Sequence, residues 1–419
     1  MKVFVTGSRG FIGRHLVERL LGAGHDVVYG VSSRDCGDSP TARVVVDFVR
    51  DVQTSTWLPR LEGVDCVVNT VGAIGGGLDA IHVDVPTALF AAAAQGKVQV
   101  INVSALGADE GAQTAFHRTK KKADDELLAT HPFATVVQPS LVYGEGGASA
   151  RMLTVLASLP VVPLPGSGMQ RVQPIHVDDV AAAIVALLDN RAYAGRKIAL
   201  VGPVPLTMRI FLAELRVALG LGPPRFLPVP DVLMSLAASL GTSLVNGDML
   251  SMLERGNTAD ARDTREILGR DPRGVSAFIP PAARAALVTE AKLEWLLVLL
   301  RVSIAVVWVT AGVLSAGIYP LPESLALVGR MGITGGLALA LVYAGAVLDV
   351  VLGIATLVLT GARWLWALQM AVIAGYTLMI SIWLPEFWLH PYGPIVKNLP
   401  MLCALFMLYE LDGSKPTRR

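Results

Sequence analysis

The first thirteen residues constrain the fold most. Lys2-Val3-Phe4-Val5 is a short apolar run, and Thr6-Gly7-Ser8-Arg9-Gly10-Phe11-Ile12-Gly13 follows without a break. Ile12, Leu16 and Leu20 then recur at i, i+4 and i+8, which gives a helix one apolar face. A glycine-rich turn between a strand and a helix has a definite physical use. Gly7 permits a tight turn, Gly10 lets the backbone approach a pyrophosphate, and Gly13 lets the helix pack closely on the strand. The helix N-terminus then offers free N–H groups and the positive end of its dipole to phosphate oxygens. This context predicts a dinucleotide-binding loop, against the plainer reading of an ordinary strand–helix turn.

A second strand is expected over Asp26–Val31, after Gly22-Ala23-Gly24-His25. NAD-binding sites usually place an acid at this strand's tip, on the ribose 2′-hydroxyl. Ser32-Ser33-Arg34 stands there instead. An arginine with two hydroxyls suits a 2′-phosphate, so NADP(H) is expected over NAD(H). Asp35 next door argues the other way, and Arg34 also reads as a solvated loop charge.

Up to about residue 202 the chain alternates short β-branched runs with helical patterns. Residues 44–46, 65–69, 98–103 and 135–138 read as strands, and 11–21, 84–95, 119–130 and 178–188 as helices. Such alternation predicts an α/β fold, a doubly wound parallel sheet of the Rossmann type. Residues 203–290 are rich in Pro and Arg and are expected to form a small helical substrate lobe and linker, punctuated by Pro223-Pro224 and Pro280-Pro281.

With 53% hydrophobic residues and a mean hydropathy of +0.54, the chain is too apolar for a wholly soluble protein. The excess lies in residues 291–419. Residues 295–319, 333–359, 364–384 and 395–411 are long apolar runs, and about 20 such residues cross a hydrocarbon core. The first three are comfortably long and the fourth marginal, so a four-helix transmembrane domain is expected. Tyr319, Trp364, Trp366, Trp383, Trp388, Tyr392 and Tyr409 sit near the run ends, as interfacial aromatics do. A buried soluble bundle would instead show charged faces. Arg284, Lys292, Arg301, Arg363, Lys415, Arg418 and Arg419 fall on one side of these spans. By the positive-inside rule, a multi-pass protein of a bacterial-type inner membrane is expected, with both termini and the nucleotide domain in the cytoplasm. Asp349, inside the second run, is either a functional intramembrane acid or a carboxyl satisfied by a neighbouring helix or water.

The net charge of +1 gives no reason to expect nucleic-acid binding. Cys36, Cys66 and Cys403 have neither metal-ligand spacing nor a disulfide framework, which fits a reducing cytosol. No metal site is expected. The apolar run before Gly7 is too short for the core of a signal peptide.

Further strings agree with the loop. They are Asn69-Thr70-Val71-Gly72, Asn102-Val103-Ser104-Ala105-Leu106-Gly107-Ala108, Pro139-Ser140-Leu141-Val142-Tyr143-Gly144 and Pro174-Ile175-His176-Val177-Asp178-Asp179-Val180. Together they resemble the atypical short-chain dehydrogenase/reductase superfamily over roughly residues 1–285. The likeness is strongest to the branch that contains the nucleotide-binding accessory subunit of respiratory complex I. The tail, through its spans and Arg301…Trp308…Gly312, resembles a DoxX-like membrane domain. The resemblance implies that Gly7, Gly10, Phe11, Ile12 and Gly13 cradle the pyrophosphate and that Asp47 contacts the adenine. It implies that Val71 and Gly72 line the cleft, that Pro139 and Val142 run beside the nicotinamide, and that His176 and Asp178 close the substrate side. His176 also reads as a satisfied structural histidine.

Active members of that family carry Tyr-x-x-x-Lys at a helix start, one turn apart on one face. The tyrosine passes the proton, and the lysine lowers its pKa and binds the ribose. Here the string is Phe116-His117-Arg118-Thr119-Lys120. Lys120 is present, but Phe116 has no proton to give, and Ser104, near the family's catalytic serine, lacks its acid partner. A register shifted by one would pair His117 with Lys121. Two functions follow as expectations. One is a membrane-anchored NAD(P)(H)-binding protein with an impaired standard centre, linked to a redox or quinone assembly or to a membrane protein partner. The other is an active NADPH-dependent reductase of a quinone, isoprenoid or lipid substrate.

Overall fold

A computed structural model describes residues 1–32, 42–73, 77–230, 232, 247–391 and 393–412. Ser33, Arg34, Asp35, Cys36, Tyr392, Lys415, Arg418 and Arg419 lie outside the described residues. The chain divides into two compact units, Met1–Ala291 and Lys292–Arg419.

The first unit is built on seven strands in the order Lys197–Leu200, Ala134–Pro139, Gln99–Val103, Cys66–Asn69, Lys2–Thr6, Asp26–Val31, Arg43–Val45. Every pairing in it is parallel. The chain leaves Lys2–Thr6 towards Asp26–Val31 on one side and returns to Cys66–Asn69 on the other. In parallel α/β sheets a ligand crevice opens at such a reversal, beyond the carboxyl ends of the strands. Both faces are covered, so the strands read as unbroken apolar runs. Val3 and Val5 point to one core with Leu16, Leu20, Val68 and Ile184, whereas Phe4 points to the other with Trp57, Val67, Leu89 and Leu127. Cys66 is fully buried in the first of these cores, and burial, reinforced by Asp65, pushes its thiol pKa up.

Several elements differ from the sequence expectation. Lys197–Leu200 forms the outer strand beside Ala134–Pro139, although Lys-Ile-Ala-Leu has little intrinsic strand preference. The helix expected from residue 119 begins at Ala115, because Thr114 caps it: its Oγ1 accepts from His117 N at 3.3 Å. That earlier start puts Phe116 and Lys120 on one helix. The lobe is not purely helical either, since Phe226–Val229 pairs with Val162–Pro165. Its core joins Phe211, Leu215 and Phe278 to Tyr143, Leu153, Val162 and Leu164.

From Pro281 onward, the described residues contain three segments long and apolar enough to cross a membrane: Pro281–Ile318, Gly335–Val358 and Arg363–Trp383. Val298, Val306, Leu337, Val351, Val358 and Leu378 are exposed on them. That much outward apolar surface suits lipid and not the faces of a water-soluble bundle. Of the fourth expected span, the described residues hold the helix Asn398–Asp412, with Leu405 and Leu408 buried. A short helix, Leu321–Gly329, was not apparent in the sequence pattern.

Without a hydrophobic drive between helices in lipid, small residues and internal hydrogen bonds hold such a unit together. A Cβ on Gly353 would lie 2.6 Å from Val309 Cγ2 and 3.0 Å from Val309 N. Trp308 Nε1 donates to Gln369 Oε1 (2.7 Å), and Gln369 Nε2 donates to Thr356 Oγ1 (2.8 Å). Asp349 is buried, with the Tyr376 hydroxyl donating to it at 3.5 Å. Gly353→Val is therefore expected to lower the melting temperature of the detergent-purified protein by several degrees, read by tryptophan fluorescence, while Gly336→Val, where nothing lies within 4 Å, leaves it unchanged.

Candidate cofactor site

The turn after the first strand is built from close approaches. Gly7 adopts φ +68°, and Gly10 N donates to Gly7 O at 2.8 Å. A Cβ on Gly13 would collide with Gly7 O and with Thr70 Oγ1. Thr70 Oγ1 in turn donates to Thr6 O at 2.7 Å, and Ser8 Oγ donates to Gly30 O at 3.0 Å. Gly10 caps the helix Phe11–Gly22 with no side-chain hydrogen bond, and the first turn holds no acid. A cradle that any Cβ would fill, at an uncapped helix N-terminus, fits a diphosphate. Phe11 and Ile12 begin the helix half-buried. The Phe11 ring lies against Gly147, whose added Cβ would sit 2.8 Å from it, and Ile12 packs on the core.

Lys120 occupies the crevice floor. Only 4% exposed, its Nζ donates to Val71 O (2.9 Å) and Val103 O (3.1 Å), the ends of two neighbouring strands. Burial lowers its pKa to about 8, partly offset by the Asp124 carboxylate. An ammonium has three donors, and these two carbonyls engage two of them. Gly72 lies open beside it: a Cβ there would be 3.5 Å from Nζ. Pro139 is buried, its carbonyl accepting from Leu106 N at 3.0 Å, and Val142 is half-buried against the core. Asp47 is exposed and ties its own turn: Oδ1 accepts from Val49 N (2.9 Å) and Arg50 N (3.3 Å).

Phe116 is half-buried one turn before Lys120, and it presents only a ring. His82 meets that ring edge-on, with centroids 5.4 Å apart at 82°. His82 carried no signal in the sequence, being a lone histidine outside any motif. Its Nε2 accepts from Ala73 N (3.1 Å), so its Nδ1 donates to Thr119 Oγ1 (2.8 Å). Burial, then the Lys120 charge, lower its pKa to about 4. The imidazole is a neutral clamp between the Val71–Ala73 segment and the Lys120 helix. It sits in the π-helical turn Ala80–Asp84, an irregularity that often marks a functional position.

The other candidates are engaged elsewhere. His117 lies against Gly107 and beside Arg255, and burial lowers its pKa. Lys121 pairs outward with Glu110 (2.8 Å) and Asp125 (2.5 Å), which removes the shifted His117–Lys121 register. The Tyr143 hydroxyl bonds Thr154 Oγ1 at 2.8 Å, and its ring stacks on Phe278. His176 Nδ1 accepts from Asp178 N (3.3 Å) and Arg273 Nη1 (2.9 Å), a capping arrangement. Asp178 accepts from Arg273 Nη1 at 2.7 Å. Ser104 Oγ donates to Asp124 Oδ2 at 2.5 Å. Asp124 went unread in the sequence, although it lies one turn beyond Lys120.

Residues 3–202 match the NAD-dependent epimerase/dehydratase family, and residues 305–406 match the DoxX-like family. The first unit therefore carries an NAD-dependent epimerase/dehydratase domain, and the second a DoxX-like one. The chain is 29% identical over 258 residues to subunit 9 of the NADH dehydrogenase [ubiquinone] 1 alpha subcomplex of Arabidopsis thaliana, covering 58% of this chain and 63% of that protein. It is 33% identical over 191 residues to a ceramide reductase of Caulobacter vibrioides, covering 44% of this chain and 60% of that protein. The chain thus spans less than two thirds of either relative. In fold, it is similar to a nucleoside-diphosphate-sugar epimerase of Staphylococcus aureus, with a TM-score of 0.54 and 18% identity over 66% of this chain and 99% of that one. Within the epimerase/dehydratase domain, Gly7 lies against Val71, and Lys120 lies against Val71 and Gly72, while Arg34 lies outside the described residues.

The clamp has a pH consequence. His82 has a folded pKa of about 4, below its ordinary 6.5. Between those values the unfolded chain binds the extra proton, so stability is present above pH 6.5 and falls on acidification towards 4. Asp124, raised by burial to about 6 from 3.8, works in the opposite direction. Comparing urea unfolding of the wild type with His82→Gln between pH 7 and pH 4.5 isolates the histidine. The wild type is expected to lose on the order of 2 kcal/mol more than the variant.

Proposed function

We propose that this protein is a membrane-bound NAD(P)(H)-binding protein whose crevice holds the cofactor while lacking the family's usual proton donor. One observation carries the reading. Lys120 is buried with its ammonium fixed at the ends of two strands, while Phe116, one turn away, offers no hydroxyl. Gly7, Gly10 and Gly13 would hold the diphosphate, with Phe11 and Ile12 fixing the helix start. Lys120 would hold the ribose, with Val71 and Gly72 along the cleft and Pro139 and Val142 beside the nicotinamide. Asp47 would meet the adenine after exchanging its turn bonds. Arg34 would favour the 2′-phosphate of NADP(H) over NAD(H). When bound, the reduced cofactor supplies a hydride.

The DoxX-like unit supports a membrane setting for this chemistry, and the distribution of Lys and Arg supports a nucleotide domain and both termini on the cytoplasmic side of a bacterial-type inner membrane. Its surroundings are then membrane lipids, and its redox partner a quinone, a lipid or a membrane protein. The likeness to a subunit of NADH dehydrogenase supports a binding or scaffolding role. The likeness to a ceramide reductase supports the second reading, an active reductase of a hydrophobic carbonyl.

Binding and turnover separate the two. Detergent-purified protein is expected to enhance NADPH fluorescence and to gain thermal stability with NADPH more than with NADH, and Gly13→Val to abolish both. Phe116→Tyr is expected to raise NADPH oxidation with a carbonyl acceptor by about a hundredfold, the usual worth of a placed acid. Wild-type turnover already at the level of the tyrosine variant would establish the reductase reading. Absence of any nucleotide effect would reject both.

A further inference from the structure

We propose that the Asp124 carboxyl and the Ser104 hydroxyl form a proton relay into the crevice, standing in for the missing tyrosine. The inference rests on the cofactor-binding reading above. Ser104 follows the strand Gln99–Val103 at its carboxyl end, as Val71 follows Cys66–Asn69, and Lys120 Nζ bonds Val103 O immediately before it. Ser104 is 6% exposed and Asp124 is 0% exposed. Between them lies one short hydrogen bond, Ser104 Oγ to Asp124 Oδ2 at 2.5 Å. The carboxyl therefore has a single hydroxyl between it and the site where a substrate oxygen would lie beside the cofactor.

The surroundings of Asp124 suit a group that changes protonation. Asn102 Nδ2 donates to Oδ1 at 2.9 Å, and Gln138 Nε2 reaches Oδ2 at 3.4 Å, both neutral. Lys120, one turn earlier on its own helix, and Lys197, on the outer strand, are the cations that face it. They hold its pKa down, as do the Ser104 and Gln138 hydrogen bonds, but burial outweighs them and raises it to about 6. A carboxyl held near neutrality is what a proton donor at physiological pH needs.

The step balances as follows. Protonated Asp124 donates its O–H to Ser104 Oγ, reversing the bond seen here. The Ser104 O–H is then free to turn towards a carbonyl oxygen. As hydride from a reduced nicotinamide forms the new C–H bond, the Ser104 O–H breaks, its proton passes to the carbonyl oxygen, and the carboxyl proton moves to Ser104. The products are an alcohol, oxidised nicotinamide and the Asp124 carboxylate, which takes its proton back from solvent.

The test begins without cofactor. Infrared difference titration of the detergent-purified protein is expected to show a protonated-carboxyl C=O band that disappears as pH rises through about 6, is missing in Asp124→Asn, and titrates at higher pH in Ser104→Ala. A Ser104→Ala profile identical to wild type would overturn the coupling, and absence of an Asp124 band would overturn the relay. Turnover is read with NADPH and 9,10-phenanthrenequinone. Wild-type kcat is expected to fall about tenfold per pH unit above that midpoint, and Asp124→Asn to lose at least about tenfold at pH 6 with NADPH affinity unchanged. Phe116→Tyr/Asp124→Asn should keep the rate of Phe116→Tyr, because tyrosine then supplies the proton.

Equal slowing of both backgrounds by Asp124→Asn would assign the carboxyl a structural role and overturn the proposal. So would turnover by Phe116→Tyr alone, or no turnover by any variant with NADPH bound. A proton inventory on the wild type needs no variant: a curved plot, with two protons in flight, supports the relay, and a linear one overturns it. Failure of NADPH to bind would reject the cofactor reading itself.

Discussion

The approach of Gly13 to Gly7 is the contact on which the first unit depends. The helix Phe11–Gly22 can lie against the end of Lys2–Thr6 only because no side chain separates the Gly13 Cα from Gly7 O. Thr70, from the neighbouring strand, closes the same gap by donating to Thr6 O. One close approach therefore joins a helix N-terminus to two strand ends at the sheet reversal. The chain departs in opposite directions on the two sides of this join.

A buried polar line crosses the floor of the crevice. Thr6 Oγ1 donates to Asn69 Oδ1 (2.7 Å), Asn69 Nδ2 to Asn102 Oδ1 (2.8 Å), and Asn102 Nδ2 to Asp124 Oδ1 (2.9 Å). Each amide gives with nitrogen and receives with oxygen, so the line runs in one direction from the first strand to the Lys120 helix. Leaving any member unpaired would cost the full desolvation of a buried polar group. The line ends on a carboxylate because that end needs only acceptors: Asn102, Ser104 and Gln138 all point donors at it. Lys120 then sits in a frame whose charge and hydrogen bonds are satisfied with or without a tyrosine nearby. Replacing that tyrosine with Phe116 leaves the binding frame intact, and the ring finds its partner in the edge of His82.

The parts legible in the sequence were those in which local chemistry and tertiary structure demand the same residues. Gly7, Gly10 and Gly13 announce a turn because only glycine fits it, and buried parallel strands announce themselves as apolar runs. Lys197–Leu200 was not legible, since its place is set by pairing with Ala134–Pro139 and not by propensity. The helix start at Ala115 was hidden by a polar first turn that a cap, Thr114, nevertheless stabilises. His82 and Asp124 were missed for a different reason. Their roles exist only through partners distant in sequence, Thr119 and Ala73 for one, Ser104 and Asn102 for the other.

The second unit follows the opposite design rule. In the first unit polarity is buried and apolar surface is enclosed. In the second, apolar side chains such as Val298, Val351 and Leu378 face outward while Trp308, Gln369 and Thr356 bond one another inside. Hydropathy reports the outward surface, so it finds the three long helices well. It does not report where a helix stops. In the helix Asn398–Asp412, the Asp412 carboxylate accepts from Trp366 Nε1 and Gly361 N, both at 3.2 Å, and lies 3.5 Å from Arg301. That polar group ties the last apolar helix to its neighbours by bonding, which hydropathy does not report.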